Sequence, residues 1–169
     1  QTPPTPFDLT TLQVESHRHL KINPKDTSKI AQDLYIAGLI SYPRTSSQKL
    51  PKSIDYKKIL KGLAKNSSYK EGTKELLSKK TLKPMEGKKS DPAHPAIYPT
   101  GEKGSLSGRD ARLYDLIVHR FLAVFGEPAK RLTVSAQIDV NEEIFTIAGT
   151  TTIFPGWHTL YGKYAKFKE

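Results

Sequence analysis

A tyrosine and an arginine separated by one residue are the side chains in this sequence best suited to chemistry. They lie in Ser41-Tyr42-Pro43-Arg44-Thr45, where Pro43 disfavours helical backbone angles for Tyr42 and favours extended ones. Residues two apart in an extended segment point to the same side. A phenol with a pKa of about 10 is a weak nucleophile at neutral pH, and a nearby guanidinium can stabilise a developing phenolate or a phosphoryl group. Taken alone, the pair does not distinguish a nucleophile from a structural tyrosine.

Other kinds of catalytic site have little support in the sequence. The chain has no cysteine, which excludes disulfides, thiolate metal sites and cysteine nucleophiles. Its 17 acidic residues are scattered, without the close pair that magnesium prefers. His17 and His19 fall on different faces of a predicted helix, and no glycine-rich phosphate loop or nucleophile-elbow serine occurs. We therefore expect no metal site within this chain.

The positive charge is concentrated in one segment. The formal net charge is +10, and the segment from Lys49 to Ser90 carries 13 lysines and four acidic residues, so it accounts for +9. Such a surplus favours a polyanionic partner, either nucleic acid or acidic lipid. A solvated surface and a contact surface for phosphates both fit this composition. For the second interpretation, the candidate DNA-binding lysines are Lys57, Lys58, Lys61 and Lys65.

The hydrophobic pattern predicts helices on both sides of the tyrosine. A capping box of Thr10 and Gln13 favours a helix over residues 9–20, and a second helix is expected from a cap at Asp26 or Thr27 to Gly38. Further helices are expected over residues 54–63 and, interrupted by Gly72, over residues 69–77. Residues 79–107 contain too much proline and glycine for regular structure, and a loop of this length is usually functional.

The strongest helical pattern and a change of period follow the loop. A wide apolar face predicts a helix from about residue 107 to 125, and apolar residues then alternate over residues 131–140 and 144–150, as in an antiparallel ribbon. The expected fold class is α+β: a mainly helical domain with a helix-turn-helix-like core, followed by antiparallel strands of a second, incomplete domain. The predicted division is a linker over 1–6, a helical domain over 7–127 and part of a β-rich domain over 128–169.

Four sequence blocks together resemble the type IA DNA topoisomerases, and the archaeal topoisomerase I/III sequences in particular. The blocks occur in the order found in that family: residues 3–13, residues 31–35, Gly38 to Thr45, and Ala93-His94-Pro95-Ala96-Ile97-Tyr98-Pro99-Thr100. The resemblance continues through Leu113 to Phe125 and a Gly156-Trp157 strand region. Ser46 departs from the bacterial enzymes, which commonly have aspartate there, so a role of that aspartate is not transferred.

The resemblance implies a reaction and a set of site residues. In the family, the tyrosine that matches Tyr42 attacks a phosphate of single-stranded DNA and forms a 5′-phosphotyrosine, and religation then relaxes supercoiled DNA. The residue matching Arg44 assists tyrosine positioning and stabilises the phosphate, and the residue matching His94 lies at the site and contacts DNA. Gln32, on the helix that leads to the tyrosine, is a further candidate for a DNA contact.

The resemblance also implies partners outside this chain. The family's Mg²⁺ site belongs to a Toprim domain that would lie upstream of Gln1, so the fragment alone is expected to be inactive. Residues 7–127 would correspond to the tyrosine-bearing domain III and residues 128–169 to part of the arch-forming domain II. DNA and the remaining domains of the same enzyme are the expected partners, with no membrane and a cytoplasmic, nucleoid-associated location.

Two alternatives stay open at this point. A non-catalytic helix-turn-helix module would explain the charge, although it gives no reason for Tyr-Pro-Arg after a helix end. The topoisomerase part of a reverse gyrase would carry a helicase-like ATPase upstream, and the Ser46-Ser47-Gln48 run favours the simpler enzyme.

Overall fold

The first two helices form a hairpin at the start of the chain. The structure, a computed structural model, describes residues 1–165. Helix α1 spans Leu9–Leu20 and α2 spans Pro24–Ile36, and Lys21, with a φ of 58°, turns the chain between them. The expected caps were wrong. Asp8 caps α1 by accepting from the Thr11 amide at 2.7 Å, and Asn23 caps α2 ahead of Pro24, because proline suits a first helical turn that needs no amide donor.

Helix α2 buries one face against the core. Its buried residues are Thr27, Ile30, Ala31 and Leu34, whereas Tyr35 and Ala37 are exposed. Gly38 follows the helix with a φ of +73°, which confirms the predicted glycine stop. The chain then leaves α2 as an extended segment.

Two shorter helices follow the extended segment. Helix α3 spans Tyr56–Leu63 and α4 spans Lys70–Leu77, with a single 3-10 turn at Ser67–Tyr69 before α4. Gly72 lies inside α4 and does not interrupt it. A side chain at Gly72 would come within 3.3 Å of Leu122 and Leu160, so this glycine allows close helix packing.

Helix α5, Gly108–Ala123, is the centre of the core. Its buried residues include Leu113, Leu116, Ile117 and Phe121, as the apolar pattern predicts. The expectation of a strand region at Gly156-Trp157 is wrong, because Trp157–Tyr161 forms helix α6, which packs against α5. Trp157 is buried and its amide donates to the Glu127 carbonyl at 2.9 Å.

A two-stranded antiparallel ribbon projects between α5 and α6. Strands β1, Lys130–Val140, and β2, Glu143–Phe154, pair with Ile138 opposite Phe145, and the intervening Asn141 and Glu142 both have positive φ. The α+β class is confirmed. Nearly all ribbon side chains are exposed. Because an isolated two-stranded ribbon is only marginally stable, we expect strands from elsewhere in the enzyme to complete this sheet, which stays a prediction.

The first six residues, predicted as a linker, run along the base of this ribbon. The terminal ammonium of Gln1 donates to the Ala129 carbonyl at 2.7 Å, and the Ala129 amide donates back to Gln1 at 2.9 Å. Pro3 and Pro6 are buried. The division of the chain at residue 127 stays a prediction. None of the helices formed by residues 1–165 has the length and apolar character needed to cross a bilayer.

Candidate active site around Tyr42

Residues 40–48, named the tyrosine strand below, carry Tyr42 and are held by the long loop, with bends at Ser41 and Pro43. Ile40 forms an antiparallel bridge with Pro99, and the Ser41 amide donates to the Tyr98 carbonyl at 2.9 Å. The Ser41 hydroxyl accepts from the Tyr98 amide at 3.0 Å and donates to the Ala96 carbonyl at 3.2 Å. The loop over residues 79–107, expected to be functional and irregular, therefore places residues 94–100 directly beside the tyrosine.

Burial alternates along the tyrosine strand. Pro43, Thr45 and Ser47 are buried, whereas Arg44 and Ser46 are exposed and Tyr42 is half-buried. Tyr42 and Arg44 are thus both more exposed than Pro43 between them. That their side chains point to one side stays a prediction.

The ring of Tyr42 contacts two other aromatic side chains. Its centroid is 4.5 Å from that of His94, with the planes tilted by 46°, and 5.3 Å from that of Tyr35, with the planes at 74°. Tyr35 comes from the end of α2 and His94 from the long loop. The structure thus brings Tyr42 and His94 together, although they are 52 positions apart in the sequence.

A tight turn centred on Asp91 holds His94 in place. Asp91 Oδ1 accepts from the amides of Ala93 at 2.9 Å and His94 at 3.1 Å, and these hydrogen bonds hold the pKa of Asp91 below its usual range. Asp91 Oδ2 accepts from the Ser46 hydroxyl at 3.4 Å, and Thr45 Oγ1 donates to the His94 carbonyl at 3.3 Å. The turn is therefore joined to the strand that carries Tyr42.

Arg44 is available to an external anion. Its side chain is exposed, and within residues 1–165 it makes no hydrogen bond or ion pair. A guanidinium presents several donors in a planar fork that matches two phosphate oxygens. Arg44 can therefore bind a phosphate beside Tyr42 without first breaking a contact.

The buried carboxylate of Asp8 supports the tyrosine strand from behind. Asp8 is 1% exposed, and its Oδ2 accepts from Gln48 Nε2 at 3.2 Å and Lys89 Nζ at 3.1 Å. Burial by itself raises the pKa of Asp8, but hydrogen bonds from Thr11 and the Lys89 ammonium outweigh it, so the pKa lies below the usual 3.8. One carboxylate thus joins α1, the tyrosine strand and the long loop.

Because the pKa of Asp8 is lowered by folding, its ionised form stabilises the folded state at neutral pH and this contribution is lost as the pH falls through the folded-state value. Replacing Asp8 with alanine is expected to reduce the free energy of unfolding at pH 7 by about 2 kcal/mol. Asp8→Asn keeps a helix cap and should cost less, with its difference from wild type shrinking below about pH 4. Urea unfolding at several pH values measures both effects, and a pH-independent difference for Asp8→Asn would contradict the assignment.

The four candidate lysines are exposed and line a groove; Lys57, Lys58 and Lys61 belong to α3, and Lys65 follows its end. Lys57, Lys58, Lys61 and Lys65 line a concavity of about 430 Å³ together with residues 100–102. Helix and loop approach closely at two glycines, because a Cβ on Gly62 would lie 2.2 Å from the Gly101 carbonyl oxygen. The groove therefore adjoins the end of the loop segment that begins at His94.

The remaining predicted residue and two unpredicted ones complete the site. Gln32 is half-buried and lies one helical turn before Tyr35 on α2, which places both on one side of the helix. Sequence reasoning missed Asp91 and the contact of Tyr35; an Asp three residues before a histidine in a proline-rich loop was the available signal for the turn. Among residues 1–165, no three His, Asp or Glu side chains come together as a metal site.

The chain matches known DNA topoisomerases over its full length. The family model described as DNA topoisomerase covers residues 1–169. DNA topoisomerase 1 of Pyrococcus horikoshii is 51% identical over 100% of this chain and 25% of the relative, and human DNA topoisomerase 3-alpha is 32% identical over 94% of this chain and 16% of the relative.

The fold also resembles that of a solved topoisomerase structure. Full-length topoisomerase I from Thermotoga maritima superposes with a TM-score of 0.68 and 26% identity, over 95% of this chain and 27% of that one. The chain thus spans about a quarter of the length of the relatives it matches most fully. Since the family model covers every residue, the chain belongs to the type IA DNA topoisomerase family.

Proposed function

We propose that this chain supplies the nucleophile of an enzyme that cleaves one DNA strand and rejoins it, so that supercoiled DNA relaxes. One observation supports the proposal: the His94 ring packs against the Tyr42 ring, and the exposed Arg44, which has no polar partner among residues 1–165, lies two residues further along the chain. Family membership identifies the expected substrate as DNA. The expected attack occurs on a single-stranded region, where the backbone can enter the site.

The chemistry is a transesterification. Tyr42 Oη attacks a backbone phosphorus, the bond between phosphorus and the 3′ oxygen breaks, and the tyrosine retains the 5′ phosphate. The phenol loses its proton and the 3′ oxygen gains one, so the reaction is balanced and needs no ATP. Attack by the 3′ hydroxyl then reverses both steps. No hydrogen bond links the Tyr42 hydroxyl to another of residues 1–165, so we assign proton removal to groups outside them.

Arg44 and His94 act on the phosphate in this proposal. Charge develops on the phosphate oxygens during attack, and a preorganised cation stabilises it more in the transition state than in the ground state. The Arg44 guanidinium supplies that cation. His94, held by the Asp91 turn, reaches the same side as Tyr42 and contacts the bound strand.

The lysine groove beside α3 would hold the DNA backbone. Its four lysines are exposed and line one concavity, which suits phosphate contacts that do not depend on base sequence. Gln32 would make a further contact next to Tyr35. The groove supplies affinity, whereas the Tyr42 site supplies the reaction.

Replacing Lys57, Lys58, Lys61 and Lys65 with glutamine is expected to weaken binding to single-stranded DNA and to reduce its dependence on salt. Each lost phosphate contact lowers the slope of log affinity against log salt by about 0.7, so the full effect is roughly 3. Fluorescence anisotropy with a labelled oligonucleotide at several salt concentrations measures the slope.

A matched control changes four exposed lysines of the same segment outside the groove: Lys70, Lys74, Lys80 and Lys83. It removes equal charge and should change the slope much less. Equal slopes in the two variants would show that only net charge matters and would contradict a binding groove.

The rest of the enzyme would complete the site. The family implies Mg²⁺, and the donor groups of residues 1–165 do not assemble to hold it, so we place the ion and its Toprim domain outside this chain and assign no step to it here. It follows that the chain alone does not cleave DNA. Its expected partners are DNA and the remaining domains, in a nucleoid-associated cytoplasmic enzyme.

A further inference from the structure

Tyr35 is a large aromatic residue that the helical core does not use. It lies in the last turn of α2 and is 41% exposed, whereas the preceding Leu34 is 2% exposed. Its hydroxyl makes no hydrogen bond to another of residues 1–165. Neither core packing nor hydrogen bonding accounts for a tyrosine here, and its ring meets that of Tyr42 at 5.3 Å in an edge-to-face arrangement.

Contacts with neighbouring rings can restrict the rotation of the Tyr42 side chain. The hydrogen bonds of Ser41 fix the backbone next to it, but the side chain can still rotate among its staggered conformers. The His94 ring and the Tyr35 ring both contact the Tyr42 ring. Since the two rings come from different elements, the loop and α2, neither alone determines the direction of the hydroxyl.

We propose that Tyr35 is a positioning residue that holds the Tyr42 ring for attack. The role rests on the function proposed above and requires the aromatic ring of Tyr35, because the contact is made by ring faces and edges. Restricting a nucleophile to reactive orientations lowers the entropic part of the barrier and leaves substrate affinity nearly unchanged. Tyr35 does not need to touch the DNA.

The test measures covalent adduct formation in a single turnover by the intact enzyme, with a single-stranded oligonucleotide. Tyr35→Ala is expected to slow the adduct about tenfold while the Kd for DNA changes less than about twofold. Tyr35→Phe should retain the wild-type rate. The control Ile36→Ala removes a neighbouring side chain that is 74% exposed and should have no effect, and equal melting temperatures exclude a general loss of structure.

A second substrate separates positioning of the nucleophile from help to the leaving group. An oligonucleotide with sulfur in place of the cleaved 3′ oxygen has a leaving group that needs no proton, and Tyr35→Ala should stay equally slow with it. Three results would each overturn the positioning role. They are a wild-type rate of Tyr35→Ala with the sulfur substrate, slow adduct formation by Tyr35→Phe, and an effect of Tyr35→Ala on the Kd for DNA alone. If the wild-type enzyme forms no adduct, the proposed function itself is refuted. If the adduct forms and its rate is the same in wild type and Tyr35→Ala, only this inference is refuted.

Discussion

Replacing Tyr42 with phenylalanine in the intact enzyme is expected to abolish the covalent adduct with DNA and the relaxation of supercoiled DNA. The change removes the one atom that forms the bond to phosphorus, and no water or neighbouring group can replace it in a covalent link. The loss should be at least about 10⁴-fold, since removal of a covalent nucleophile can cost about 10⁶-fold. Denaturing gels with an end-labelled oligonucleotide measure the adduct.

Phenylalanine is the sharpest substitution because it keeps the ring. The contacts of Tyr42 with Tyr35 and His94 are made by ring atoms, so folding and DNA affinity should stay as in wild type. An adduct that persists in Tyr42→Phe would assign the nucleophile elsewhere. DNA binding with no adduct in the unsubstituted enzyme would favour the non-catalytic module, and an adduct formed by this chain alone would contradict the proposed need for the other domains.

Replacing Arg44 with alanine is expected to slow adduct formation by about 10² to 10³-fold, the range found when a preorganised donor to a developing negative charge is removed. The effect should fall on the rate of the chemical step more than on Kd, because the lysine groove retains most phosphate contacts. Single-turnover rates and anisotropy measurements separate the two.

Two controls show whether the geometry of the guanidinium matters. Arg44→Lys keeps the charge but not the planar fork and should recover only part of the rate. Lys80→Ala removes an exposed cation elsewhere in the chain and should change the rate little. Since Arg44 makes no polar contact within residues 1–165, its removal should not lower the melting temperature. A wild-type rate for Arg44→Ala would remove it from the proposed site.

Local sequence patterns were sufficient for most elements and failed where several solutions compete. The apolar stripe of α5 and the alternation of β1 are long, so packing could not override them. The caps of α1 and α2 were misplaced by a few residues, because Asp8 and Asn23 compete with other good capping residues nearby. The helix at Trp157 was not expected, because no neighbouring residue indicates that this segment packs against α5. The two segments are separated in the chain by the ribbon and meet only in the folded core.

By itself, the sequence determined the family, through motifs of neighbouring residues, and the end of α2 at Gly38 just before the tyrosine. Only the tertiary structure decided that the His94 and Tyr35 rings contact the Tyr42 ring and that Asp8 joins α1, the tyrosine strand and the long loop. Each of these depends on how the long loop and α2 fold around the strand. Such contacts join residues far apart in the chain, and their geometry is set by the whole core and not by local preference.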